Sequence, residues 1–190
     1  MDTIEAIRSR RSIRDYLPRA VPRTLVEAVI DDACCAPFTP VSLPQPWIFT
    51  VIDGIDQIAD YGARALAFAK ANRPSVKGFE WTENPDFSVF FNAPMVVVIS
   101  GRSDNSQALG ECARAAQLFS LSAHARGLGS CWVGSPILWM RDPAVMTELG
   151  FADGFQPFAV LTLGFPATVP PAPPPFSPKT VWLGDSRSTS

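Results

Sequence analysis

Between Pro94 and Gly101 the chain reads Met-Val-Val-Val-Ile-Ser. An apolar run without alternation has no face to leave in water, so residues 95–100 predict a central strand. Residues 106–126 follow as a long helix rich in Ala, Leu and Ser. Its small residues fall on several faces, so burial nearly all round is expected, and Gly127 ends it. Residues 3–10 read as a short helix with Ile4 and Ile7 on one face, and residues 11–16, which have no helical period, as extended. Residues 22–36 read as a helix with Pro22 in its first position and Leu25, Val29 and Ala33 four apart. Pro37 stops it. A loop with Pro37, Pro40 and Pro44 leads to Gln45-Pro46-Trp47. Residues 47–53 predict a buried strand, and residues 55–71 an alanine-rich helix. Residues 74–88 mix polar and aromatic side chains, as a lid or partner-facing loop would. Residues 129–134 form a short strand or turn, and residues 157–164 the last strand. Between them, residues 143–149 form a helix capped by Asp142, with Pro143 in its first turn and Gly150 as its stop.

Residues 166–178 are about half proline, which excludes a helix or a sheet interior and leaves an extended arm. Residues 184–190 look frayed. The organisation expected is one domain over residues 1–166 and a Pro-rich C-terminal arm over 167–190. The alternation of helices and strands gives an α+β or α/β class.

Length agrees with one domain: 190 residues bury one sizeable core. Charged residues are 18%, below the quarter usual for soluble domains, and there are thirteen Phe and five Trp. That composition fits either apolar surface hidden in an interface or a large monomeric core. The net charge of −2 gives the whole protein no attraction for nucleic acid. No segment approaches the roughly 20 apolar residues of a membrane span, and no signal peptide is evident, so a cytoplasmic protein is expected. The cysteines, Cys34, Cys35, Cys112 and Cys131, lack CxxC spacing, and His124 is the single histidine. A metal site is not expected, and the cysteines read as reduced, small apolar residues.

Arg8, Arg10, Arg11, Ser12 and Arg14 form the first candidate constellation. In an extended segment Arg10, Ser12 and Arg14 share one face, with Arg11 and Ile13 on the other. Two guanidiniums and a hydroxyl make a phosphate clamp; the other reading is a helix C-terminus decorated with cations. The second candidate is the loop from Ala36-Pro37 to Gln45-Pro46-Trp47, either ligand-bearing or a proline-stiffened connection. The third is Gly127-Leu128-Gly129-Ser130-Cys131-Trp132-Val133-Gly134, whose glycines let backbone approach a flat ligand or simply stop a helix. It follows a helix and is not G-x-G-x-x-G, so it is no Rossmann fingerprint. With one histidine, no serine elbow and no carboxylate pair, no catalytic side chain is assigned. An enzyme built on this chain would need a cofactor to carry the chemistry.

In this order the pieces resemble the nitroreductase family. The family's Arg-x-Ser-x-Lys/Arg signature matches Arg10-Arg11-Ser12-Ile13-Arg14. Its APS…N-x-QPW loop matches Ala36-Pro37-Phe38-Thr39 through Gln45-Pro46-Trp47, with Leu43 in place of the family asparagine. Ala93-Pro94-Met95, Gly127 to Trp132, and Leu163-Gly164-Phe165-Pro166 match its remaining elements. The resemblance implies an α+β fold, a mixed sheet flanked by helices, assembled as an intertwined homodimer. It implies one FMN per subunit, contacted by both chains: Arg10, Arg11, Ser12 and Arg14 from one, Pro37, Phe38 and Thr39 from the other. Gln45 belongs to the same loop. Backbone around Val133 and Gly134 would approach the flavin N5, and Lys179, or less directly Arg187, would reach the phosphate. The implied activity is a ping-pong reduction of nitroaromatic, quinone or related small molecules, with NADPH or NADH as electron donor. Two alternatives stand beside it: an FMN-dependent dehydrogenase or flavin-modifying relative that does not use NAD(P)H, and a cofactor-less binding or scaffold dimer of the same fold.

Overall fold

The structure is a computed structural model, and it describes residues 1–44, 46–72, 80–84, 87–174 and 177–183. The apolar run becomes β2, Met95–Arg102, buried from Met95 to Gly101. It lies between β1, Ile48–Asp53, and β4, Phe155–Gly164, and β4 in turn pairs with β3, Gly129–Trp132. Every neighbouring pair in this four-stranded sheet is antiparallel. With its flanking helices the fold is α+β.

The absence of alternation in β2 has a direct cause. Met95, Val97 and Ile99 pack in one apolar cluster with Val29 of α2, Arg23–Ala33, and with Phe119 of α4, Ala108–Ala125. Val96 and Val98 face the opposite cluster, with Ile58 and Tyr61 of α3, Ile55–Asn72, and Trp139 and Met140 of α5, Ile137–Met140. Val145 of α6, Pro143–Glu148, completes that layer. Both faces of β2 are therefore covered, and each buried Val or Ile contributes about 1.5–3 kcal/mol. The remaining helix, α1, is Thr3–Ser9.

Several boundaries differ from the sequence expectation. Residues 47–53 were expected as a buried strand, but β1 is the sheet's edge, with Val51 and Asp53 exposed. Pro22 is the N-cap of α2, one position before the helix, and α2 ends at Ala33. β4 begins at Phe155 because Pro157 is accommodated at a register shift opposite Ile99 and Ser100, a place where its missing N–H is tolerated. α5 was not expected. α4 is not buried all round: Leu109, Gly110, Arg114 and Gln117 are exposed. Cys112 and Cys131 are buried as expected, whereas Cys34 and Cys35 are exposed; all four are free thiols. Of residues 74–88, 80–83 form a short 3-10 turn and part of the remainder lies outside the described residues, as do 184–190. Beyond the Tyr16–Pro166 bridge, the described residues of the arm form no regular element. Among the described residues no helix is long and apolar enough to cross a membrane.

Candidate functional site

The cationic segment starts where α1 stops. Asp2 caps α1 by accepting from the Glu5 amide, and the Arg10 amide closes the last turn on the Ala6 carbonyl. From there the chain runs extended beside β3. Ser12 bridges Ser130, and the Ile13 amide donates to the Ser130 carbonyl at 3.0 Å. Ile13 is buried directly over Gly129, where an added Cβ would come within 2.5 Å of it. Glycine at 129 is therefore what lets this segment lie against the sheet. Tyr16 locks the other end: its buried hydroxyl donates to the Ile13 carbonyl at 2.7 Å and lies 2.6 Å from Thr162 Oγ1. Burial pushes its phenol pKa up, so it stays neutral.

Anchored in this way, Arg10, Ser12 and Arg14 line one cleft of about 560 Å³, as the alternation of an extended chain requires. Ile7, Arg8 and Arg11 border it too, and residues 170–173 of the arm form the far wall. Arg11 departs from strict alternation, since its Nη1 turns back to donate to the Arg8 and Arg10 carbonyls at 2.8 Å. No carboxylate lines the cleft among the described residues. Arg14 lies 5.7 Å from the Phe91 ring centroid, at the edge of a second cleft with Asn84, Ser88 and Asn92. Burial raises the Cys131 thiol pKa, opposed by the Arg14 charge, a Ser12 hydrogen bond and the Arg10 charge.

Val133 and Gly134 follow β3. The Val133 amide donates to the Val160 carbonyl at 2.8 Å, which commits it to the sheet and removes it as a ligand donor. Gly134 is exposed, with open space where a Cβ would stand.

The Pro37–Thr39 loop lies elsewhere, held by a residue the sequence reading missed. Glu111, 1% exposed, accepts from the Thr39 amide and hydroxyl, from Ser42 Oγ on both oxygens, and from Asn105 Nδ2. Arg114 Nε donates to the Pro37 carbonyl at 2.7 Å, and Phe38 meets Trp47 edge-on. Burial pushes the Glu111 pKa up, but the Thr39 and Ser42 hydrogen bonds and the Arg114 charge outweigh it and leave it lowered. A lone acid among small residues in a helix read as buried was the available signal. Glu111 holds Thr39, while His124, 13 residues later in the same helix, holds Ser9 at the end of α1. At 1.5 Å per residue, those two anchor points are about 20 Å apart along α4. Within one chain the loop is therefore not among the residues that line the cationic cleft. Lys179 is exposed and does not line it either. Gln45 and Arg187 lie outside the described residues. Among the described residues there is no cluster of His, Cys, Asp and Glu fit for a metal.

A protein of Methanothermobacter thermautotrophicus, named as an inferred NADH dehydrogenase/NAD(P)H nitroreductase, is 30% identical over 96% of this chain and 87% of its own length. The crystal structure of a nitroreductase with bound FMN from Desulfitobacterium hafniense superposes with a TM-score of 0.83 at 22% identity, covering 97% of this chain and 100% of the other. A nitroreductase with bound FMN from Bacteroides fragilis gives 0.77 at 24% identity, covering 97% of each. The sequence model of the nitroreductase family matches residues 7–165, from the end of α1 through β4. With its cationic segment, β3 turn and antiparallel sheet all inside that match, the chain belongs to the nitroreductase family.

Proposed function

We propose that the protein is an FMN-dependent oxidoreductase that works as a homodimer, with FMN held along the cleft of Arg10, Ser12 and Arg14 and its phosphate at the Arg10 and Ser12 end. The observation that carries this reading is the donor set: guanidiniums and a hydroxyl on one wall, with no carboxylate among the described residues lining the cleft. A phosphate monoester brings about −1.5 to −2 charges and three acceptor oxygens, which such a set matches. Family membership and the FMN in the two structures of like fold support it.

Bound here, FMN would supply two-electron redox chemistry between NADH or NADPH and a small-molecule acceptor such as a nitroaromatic or quinone. The chain's own residues bind and orient. Arg10, Arg11 and Ser12 hold the phosphate end. Arg14, always protonated, favours negative charge at the pyrimidine edge. Gly134, exposed and without a side chain, offers backbone to a flat ring. In this reading Pro37, Phe38 and Thr39 serve the partner subunit's site, with Gln45 in the same loop. In the same reading residues 1–166 form the FMN-binding domain and 167–190 a C-terminal arm, of which residues 170–173 line one wall of the cleft.

The absorption spectrum of purified protein tests the cofactor: flavin bands are expected, and a preparation that stays colourless with added FMN would refute the reading. Arg10→Ala with Arg14→Ala removes charged hydrogen bonds of about 1.5–3 kcal/mol each, so FMN affinity should fall on the order of a hundredfold or more. Stopped-flow reduction by NADPH and by NADH then identifies the donor; no reduction by either would exclude the nicotinamide step.

A further inference from the structure

The single histidine of the chain sits in the last turn of α4, against the end of α1. Ser9 Oγ lies 2.7 Å from His124 Nε2 and also 2.7 Å from the Glu5 carbonyl. A carbonyl only accepts, so the one hydroxyl proton of Ser9 goes to Glu5, and His124 Nε2–H donates to Ser9. That tautomer leaves Nδ1 as the titrating atom, and protonation there adds charge without breaking the bond to Ser9.

The charged surroundings of the ring come from three sides. Glu5 of α1 favours its protonated form, while Arg10 and Arg11, entering the cleft, disfavour it. Two residues further on, Arg126 is paired with Asp32 of α2 at 2.7 Å. Burial, then Arg10, then Arg11, hold the ring's pKa below its ordinary 6.5.

We propose that His124 is a positioning residue of the anion cleft: through Ser9 it holds the last turn of α1, from which Arg10 and Arg11 enter the cleft, and it takes up a proton from solvent when a phosphate dianion binds there. The proposal rests on the cleft being an anion site, as the FMN reading requires. The physical reason is compensation. The two arginines that suppress the proton on His124 are the groups a dianion neutralises, so occupancy removes the suppression. By reciprocity, protonated His124 binds the anion more tightly, and each unit of rise is worth about tenfold in affinity.

The test uses the full chain, labelled with ¹⁵N and titrated by NMR from about pH 5 to about 8, the range where histidine reports. The single ring is followed without anion, with saturating FMN, and with saturating inorganic phosphate. The midpoint is expected to rise with either anion. FMN affinity is measured in parallel for the wild type and for His124→Gln, whose amide can still donate to Ser9 but does not titrate. The advantage of the wild type should grow as pH falls, and the ratio cancels the phosphate's own ionisation near about pH 6. An unmoved midpoint in a protein that carries FMN overturns the role of His124 and leaves the FMN reading standing. A midpoint raised by phosphate in a protein that never takes up FMN supports the role and refutes the FMN reading. Binding of neither anion overturns both. The wild-type titration decides even where the variant does not fold.

Discussion

At the scale of single residues, Glu111 is the charged side chain buried most deeply among the described residues. It is nearly inaccessible, and each of its oxygens takes hydrogen bonds from the loop it organises. Removing it leaves Thr39, Ser42 and Asn105 short of an acceptor. Glu111→Ala should cost about 2–3 kcal/mol, read as a lower Tm. Because its pKa is held below the ordinary carboxylate value of 4.5, the unfolded chain binds more protons in that window. Its contribution is therefore full above the unfolded value and lost as pH falls through the folded one. In Glu111→Gln the acid limb of stability against pH should flatten; an unchanged limb would show that the carboxylate is not ionised in the fold. The sequence shows Glu111 only as a helical acid, since its partners Thr39 and Ser42 lie 72 and 69 positions away.

Elements were legible where local chemistry decides them. Asp142 caps α6 as its spacing before Pro143 requires, accepting from the Ala144 amide at 2.9 Å. Asp142→Ala should cost about 1 kcal/mol of stability by denaturant unfolding. A neutral result would mean that α6 is held by packing alone, through Val145 and the Arg64–Glu148 pair at 2.6 Å. β2 was legible because its unbroken apolar run has one physical solution, burial on both faces. β1 was not, because its composition speaks of β structure and not of position. An edge strand and a buried one share Ile, Phe and Val, and only pairing separates them. α5 is four residues long, too short for any period to register.

For the whole molecule, the separation of about 20 Å along α4 makes a composite site testable. Arg10→Ala with Arg14→Ala spoils the cleft and keeps the loop; Phe38→Glu spoils the loop and keeps the cleft. Each variant alone should lack flavin. If the protein is the proposed homodimer, mixing them after dissociation and reassociation should recover part of the flavin absorbance, because one site of a mixed dimer then joins an intact cleft to an intact loop. No recovery would place cleft and loop function within one chain.

By itself the sequence determined the order of the elements other than α5, the donor set Arg10, Ser12 and Arg14, and the glycine-rich turn after α4. These follow from period, composition and the conformational freedom of glycine, all local properties. Only the tertiary structure decided which side chains meet. It set Ile13 on Gly129, committed the Val133 amide to the sheet, and joined Ser9 to His124 across 115 residues. It also sent the Pro37–Thr39 loop to the other end of α4 from Ser9. The reason is physical: a side chain's neighbours are set by how helices cover both faces of β2, and that packing is satisfied by residues far apart in the chain.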